Sequence, residues 1–188
     1  MKILKVFVNA SLLFTLTLII SAGCKDFDRR TQFNTTYTNR VILDSNNTNG
    51  TSGEATSDTL IVDFIGTVED HSATENGIES VKIVRLALEI DKLKSHAGAN
   101  FNVLDNLEVF IRGKGIDEVL IGSTDSIPSN IKYFEIKVIP ENEDFEDLIK
   151  TEEFTCRMKF TPNTRILDSA YVIKITATYL IDTKRFGI

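Results

Sequence analysis

Three features of the sequence predict its fold class. Apolar and polar residues alternate in short runs, turn residues separate those runs, and each run is half polar and not apolar throughout. Alternation with period two is the signature of a strand with one buried face. Half-polar strands belong to antiparallel sheets with one wet face, because strands buried on both sides read as continuous apolar runs. The chain is therefore expected to be all-β: an antiparallel, Ig-like β-sandwich of seven or eight strands with one short helical turn, after an N-terminal signal segment. No internal repeat runs through its 188 residues, which argues against a propeller or solenoid.

The first 24 residues stand apart from that pattern. Lys2 and Lys5 form a basic start, an apolar run follows from Val6 to Ile20, and Ser21-Ala22-Gly23-Cys24 closes it. Basic, apolar and small residues in that order make a secretory signal. The apolar run contains Asn9 and is shorter than the ~20 residues a membrane-spanning helix needs. Cys24 directly after Ala-Gly resembles the bacterial lipobox, although Ser21 stands where that pattern prefers Leu. The resemblance implies cleavage of residues 1–23, diacylation of Cys24 and attachment to the membrane through that lipid. Multiple acyl chains on one Cys supply the stable anchoring a single chain cannot. Cys24-Lys25-Asp26-Phe27-Asp28 further resembles the Lys-plus-acidic signals of surface-exposed Bacteroidota lipoproteins, which implies the outer membrane, facing outwards or to the periplasm.

The remaining elements follow in order. Residues 24–58 read as lipidated Cys, tether and polar loop, with an edge strand around 33–37. Residues 44–58 (DSNNTNGTSGEATSD) hold no apolar residue but Ala55, so burial cannot offset the entropy of ordering them and a loop is expected. Residues 59–188 form the predicted sandwich domain. Leu60, Val62, Phe64 and Val68 against Asp63 and Thr67 are read as its first strand. In residues 81–91 Val84, Leu86, Leu88 and Ile90 share a face, while Leu, Ala, Glu and Lys towards Lys94 leave a helical reading open. Leu107, Val109 and Ile111 oppose Glu108 and Arg112, and Gly113-Lys114-Gly115 turns that strand into residues 118–121 as a hairpin. Phe134, Ile136 and Val138 define the next strand, which Pro140 ends because it cannot donate to a ladder. Phe145, Leu148 and Ile149 at i, i+3, i+4 predict the short amphipathic helix within 143–150. Residues 153–160 and 170–181 complete the set. In the last, Tyr171, Ile173, Ile175, Ala177, Tyr179 and Ile181 form the longest alternation in the chain.

Composition narrows the function classes. Removing residues 1–23 takes away two lysines and no acid, so the net charge moves from −6 to −8. Such a surface repels phosphate backbones, and no nucleic-acid partner is expected. With Cys24 acylated, Cys156 has no partner for a disulfide. Among Phe154, Met158 and Phe160 it reads as a small buried hydrophobe. His71 and His96 are the only imidazoles and lie in polar connectors; no nucleophile–base–orienter set can be read from spacing. One thiol and two unclustered histidines make no zinc site, and the acidic run 141–147 lacks the Gly of a calcium loop. No catalytic residue, metal or cofactor is expected. A sugar platform normally relies on exposed aromatic faces; Trp is absent, and Tyr171 and Tyr179 share the apolar face of the last strand, leaving Tyr37 and Tyr133.

Two sets of short motifs remain. Asp58-Thr59-Leu60, Asp125-Ser126-Ile127 and Asp168-Ser169-Ala170 match the Asp-Ser/Thr-aliphatic pattern of Bacteroidota O-glycosylation, which makes Thr59, Ser126 and Ser169 candidate acceptors. The run Phe101-Asn102-Val103-Leu104-Asp105-Asn106-Leu107-Glu108-Val109, then Glu118-Val119-Leu120-Ile121 and Asp125-Ser126-Ile127-Pro128, resembles a group of small secreted Bacteroidota proteins. Asp147-Leu148-Ile149-Lys150 and Phe154-Thr155-Cys156-Arg157-Met158-Lys159 extend the likeness, which covers residues 81–181. It implies one β-sandwich domain in the envelope and no particular activity. The expected function is that of a non-catalytic envelope lipoprotein whose domain binds an envelope protein or extracellular ligand. The alternatives are a carboxylate-based hydrolase and a glycan-binding module.

Overall fold

The computed structural model describes residues 32–45, 51–71, 73–139, 144–163 and 171–184. The signal segment, Cys24, Pro140, residues 141–143 of the acidic run and Ser169 lie outside the described residues. The described chain is all-β and antiparallel, with nine strands and two short helices. In chain order the strands are β1 (Gln32–Leu43), β2 (Gly53–Thr56), β3 (Leu60–Ile61), β4 (Ile78–Ile90), β5 (Leu104–Gly113), β6 (Val119–Thr124), β7 (Tyr133–Val138), β8 (Glu153–Pro162) and β9 (Tyr171–Thr183). The helices are α1 (Phe64–Asp70) and α2 (Glu146–Lys150).

Hydrogen bonding joins the strands in one continuous order, β1-β9-β4-β7-β6-β5-β8-β2, with β3 also on β8. The sheet curls over at β7. Its first half pairs with β4 through Tyr133 to Ile136, and its end pairs with β6 through Lys137 and Val138. One layer is thus β1-β9-β4-β7, the other β6-β5-β8 with β2 and β3 at its edge. The terminal strands β1 and β9 lie side by side, and each layer interleaves early strands with late ones. That is the strand order of a jelly roll, a pair of nested Greek keys. It differs from the expected Ig-like order, in which the early strands A, B, D and E share one layer. Alternation fixes which side of a strand is buried, but strand neighbours depend on long-range pairing that one strand's pattern does not encode.

The core lies between the layers. Leu107, Val109 and Ile111 of β5 and Ile173, Ile175 and Tyr179 of β9 belong to this one core, all essentially inaccessible to solvent. Burying each large side chain contributes on the order of 1.5–3 kcal/mol. All six residues of the long β9 alternation are buried, as are Phe154, Cys156, Met158 and Phe160 of β8. The hairpin of β5 and β6 forms as expected, and α2 caps the core with Phe145, Leu148 and Ile149.

Several expectations need correction. The strand anticipated over Leu60 to Val68 is β3 followed by α1. Phe64 and Val68 are both buried at the i, i+4 spacing of a helix face, and Asp63 caps that helix by accepting from Gly66 N at 2.8 Å. Among the described residues regular structure begins at Gln32, not at residue 59, and the edge strand expected around 33–37 is part of it. β1 runs for twelve residues along β9, and Gly53–Thr56 of the presumed loop pairs with β8. Backbone pairing and a flush fit of Gly53 and Ala55 against β8 supply what apolar bulk does not. Val84 does not join Leu86, Leu88 and Ile90 in the core. The ladder to β9 shifts between Ile83 and Arg85, so Ile83 turns inwards and Val84 is left 50% exposed.

At the opposite side from β7, the two layers meet without a ladder. Asn39 Nδ2 of β1 donates to Ser57 Oγ at 3.0 Å, and Cys156 N of β8 donates to the same oxygen at 2.9 Å. Ser57 N returns a bond to Cys156 O at 2.8 Å. One buried hydroxyl therefore staples the two edges.

Candidate functional site

The groups that carry chemistry in the sequence are spent on structure. Burial pushes the Cys156 thiol up to about 12, so it holds no thiolate at neutral pH. His71 stacks flat on Phe33 at 3.9 Å between centroids, with Nδ1 2.8 Å from Thr67 O. His96 meets Tyr171 edge-on at 4.8 Å. Asp144, in the middle of the acidic run, accepts from Val81 N at 2.8 Å and Glu146 N at 3.0 Å, fixing the entry to α2. Among the described residues no three His, Cys, Asp or Glu side chains converge as a metal site. The candidate acceptors Thr59 and Ser126 are both exposed, in the β2–β3 and β6–β7 connections.

A shallow surface depression lies where β7 leaves β4. The two strands pair only over Leu86 to Glu89, and beyond that point β7 veers to β6. A wedge-shaped depression of about 390 Å³ opens between them, lined by Ile83 to Leu86 on one side and Glu135 to Val138 on the other. Gly122 of β6 lies beneath this corner. A Cβ there would stand 2.6 Å from Leu86 Cδ2 and 2.7 Å from Ile136 Cδ1, so a side chain at this position would displace both. The floor of the wedge is apolar; its rim is charged.

Arg85 and Glu135 on that rim form an organised trio with Tyr133, which lies two residues earlier on β7. Arg85 Nε and Nη2 both donate to Glu135 Oε1, at 2.9 and 2.6 Å, and Nη2 also donates to the Tyr133 hydroxyl. Tyr133 OH in turn donates to Glu135 Oε1 at 2.7 Å. The Arg85 bond, with the one from Tyr133, holds the Glu135 carboxyl below the usual carboxylate range, and the bond to Glu135 raises the phenol. Tyr133 remains 45% exposed, with its ring positioned and its hydroxyl committed. Such an arrangement presents a flat apolar ring beside a planar guanidinium and leaves Glu135 Oε2 and an Arg85 nitrogen for a ligand.

A second charged strip crosses the outer face of the other layer. Arg157 lies over the Phe110 ring at 4.4 Å, bridges Glu54 at 3.2 Å, and pairs with Glu118. Its cation is consumed by two carboxylates. The Arg85–Glu135–Tyr133 trio is the better contact surface, because an exposed aromatic accompanies it.

Part of this trio was legible in sequence. Alternation places Tyr133 and Glu135 opposite Phe134 and Ile136, hence outside. The same alternation puts Arg85 outside, opposite Leu86, but its meeting with Glu135 depends on the pairing of β4 with β7.

No protein-family model matches the chain, and no curated protein matches it. Solved structures show distant similarity. A structure of tomato aspermy virus is 9% identical, with a TM-score of 0.33 over 79% of this chain and 77% of that one. One of turnip yellow mosaic virus is 10% identical, with a TM-score of 0.28 over 81% and 93%. A carbohydrate-binding module of the β-sandwich superfamily is 12% identical, with a TM-score of 0.30 over 81% and 55%. Scores this low carry no argument; the fold rests on the strand order itself.

Proposed function

We propose that this chain is a non-catalytic, lipid-anchored envelope protein whose jelly-roll-like domain binds an envelope protein or extracellular ligand through the wedge between β4 and β7. The observation that carries the reading is the exposed Tyr133 ring, held in place by Arg85 and Glu135, the two members of the trio that line the depression between β4 and β7. Tyr and Arg dominate the energetics of contact surfaces, and a side chain already fixed loses little entropy on binding. The lipobox at Cys24 supports attachment to the bacterial outer membrane, facing the surface or the periplasm, and the resemblance to the small secreted Bacteroidota proteins fits that location. O-glycosylation at Thr59, Ser126 or Ser169 belongs to the same proposal.

A glycan is the second reading, favoured by the same trio, since a flat ring beside forked polar groups suits a sugar's apolar face and its hydroxyls. The test is capture from the native envelope with wild-type protein and with Tyr133→Ala and Arg85→Ala, alongside a glycan array. Loss of a specific protein or glycan in both variants, with folding intact, supports the assignment. Unchanged capture moves the contact elsewhere. For the anchor, Cys24→Ser should remove a lipid-sized mass and release the protein from the membrane fraction; an unaltered mass and fractionation would refute it.

A further inference from the structure

The two outer edges of the continuous sheet are built differently. At one end lie β2 and β3, four and two residues long, separated by Ser57 to Thr59. Glu54 on β2 is engaged by Arg157 and Lys159. Short, interrupted, charged strands are how proteins keep an edge from pairing. At the other end lies β1. It runs for twelve residues without a register shift against β9, and contains no Pro, no Lys and no Gly. Its single charged residue, Arg40, is turned to Asp91 at 3.3 Å. Among the described residues no strand pairs with the far side of β1, where the Asn39 side chain crosses to Ser57. Backbone N–H and C=O groups on that side are a template about 37 Å long at strand spacing.

We propose that β1 is a self-association edge: two copies of this chain pair antiparallel through it, about a two-fold axis at Tyr37, merging their β1-β9-β4-β7 layers into one eight-stranded sheet. Directly opposed residues of an antiparallel pair lie on the same sheet face, so inward residues must oppose inward ones. An axis at Tyr37 meets this condition and sets Phe33 against Val41 inside. Outside, it sets Asn34 against Arg40 and Thr36 against Thr38. This register also continues two hydroxyl rows already present. Thr36 pairs with Thr178 at 3.2 Å and Thr38 with Thr176 at 3.0 Å. Across the axis each row would pass from one copy's β9 and β1 into the other's β1 and β9. An axis at Thr36 or Thr38 keeps only one such row, and an axis at Arg40 opposes two guanidinium groups. No like charges meet in the proposed register. A closed two-fold contact of this kind is self-complementary and does not propagate.

One strand pair lies at the small end of specific interfaces, so a dissociation constant on the order of 10 µM is expected. The test is sedimentation of the full chain in mild detergent from about 1 to 200 µM, a range that brackets that constant. A monomer–dimer equilibrium is expected, and a single monomeric species at the highest concentration overturns the proposal. Thr36→Lys with Thr38→Lys places lysines opposite each other twice and should weaken the dimer more than ten-fold. Thr36→Lys with Thr38→Glu restores complementarity and should keep it. Circular dichroism and melting confirm that both variants fold. A dimer that survives the double lysine substitution overturns the assignment to β1. Mixed chains carrying Thr36→Cys and Thr38→Cys should give a disulfide-linked heterodimer that the wild-type chain does not; its absence overturns the register.

Discussion

Replacing Tyr179 by Phe should stabilise this protein, against the usual direction for a substitution in a fully buried position. Tyr179 is 0% exposed near the middle of the core face of β9, opposite Ile83 of β4 and Thr35 of β1. Its ring lies 5.8 Å from that of Tyr37, which in turn meets Phe154 edge-on at 5.8 Å. Neither the Tyr179 nor the Tyr37 hydroxyl finds a hydrogen-bond partner among the described residues. Burial, with Cys156 and Tyr37 adding to it, pushes the Tyr179 phenol well above its ordinary range, so the group stays neutral. An unpaired buried polar group costs about 1–3 kcal/mol relative to its solvated state. Phe keeps the ring contacts and removes that cost, while the space of one oxygen atom forfeits part of the gain through lost dispersion contacts. The net expectation is about 1 kcal/mol of added stability, read as a rise in Tm of roughly 2–4 °C for a domain of this size. Urea unfolding should move its midpoint upwards at constant m, because the same surface is exposed. Tyr37→Phe should act in the same direction by less, since that residue is only partly buried. A loss of 1 kcal/mol or more from Tyr179→Phe would refute the reasoning and show that the hydroxyl is satisfied.

Further tests address the corner, the thiol, the helix cap and the ion pairs. Gly122→Ala should destabilise by about 1–3 kcal/mol, because the added Cβ displaces Leu86 and Ile136; an unchanged midpoint would mean that the corner yields freely. Cys156 should be inert to thiol reagents in the native state at pH 8 and react only as fast as the domain unfolds, given a thiol pushed up to about 12. Asp63→Ala should cost about 1 kcal/mol through loss of the α1 cap, measured by urea unfolding. Arg157 holds the Glu118 carboxyl below its usual range, and Arg85 does the same for Glu135. For carboxyls lowered on folding, the stabilisation is complete above the unfolded value near ~4 and lost as pH falls through the folded one. Melting temperature should therefore be flat across neutral pH and drop below about pH 4, less steeply in Arg157→Gln, a difference that thermal scans at pH 3 and 7 would reveal.

Local pattern determined the burial side of the strands with clean alternation. It placed Phe154, Cys156, Met158 and Phe160 together inside β8 and all six alternating residues of β9 in the core, because a strand's period of two is a property of the backbone alone. It also located the β5–β6 turn and helix α2, whose signals are short-range. It failed where a local reading was degenerate. Phe64 and Val68 suit a strand or a helix, and the Asp63 cap, with Glu152 Oε1 accepting from Phe64 N and Ile65 N, both at 3.1 Å, decides for the helix. It failed too at Gly53–Thr56, whose place in the sheet comes from backbone pairing to residues a hundred positions away. Tertiary structure alone decided the strand order and the divergence of β7 from β4, and with it the wedge. Arg85 reaches Glu135 because β4 and β7 pair beside it, and a side chain at Gly122 would displace Leu86 and Ile136 where the two layers join. Each of these depends on which distant segments become neighbours, a quantity set by the packing of the whole core and by no window of the sequence.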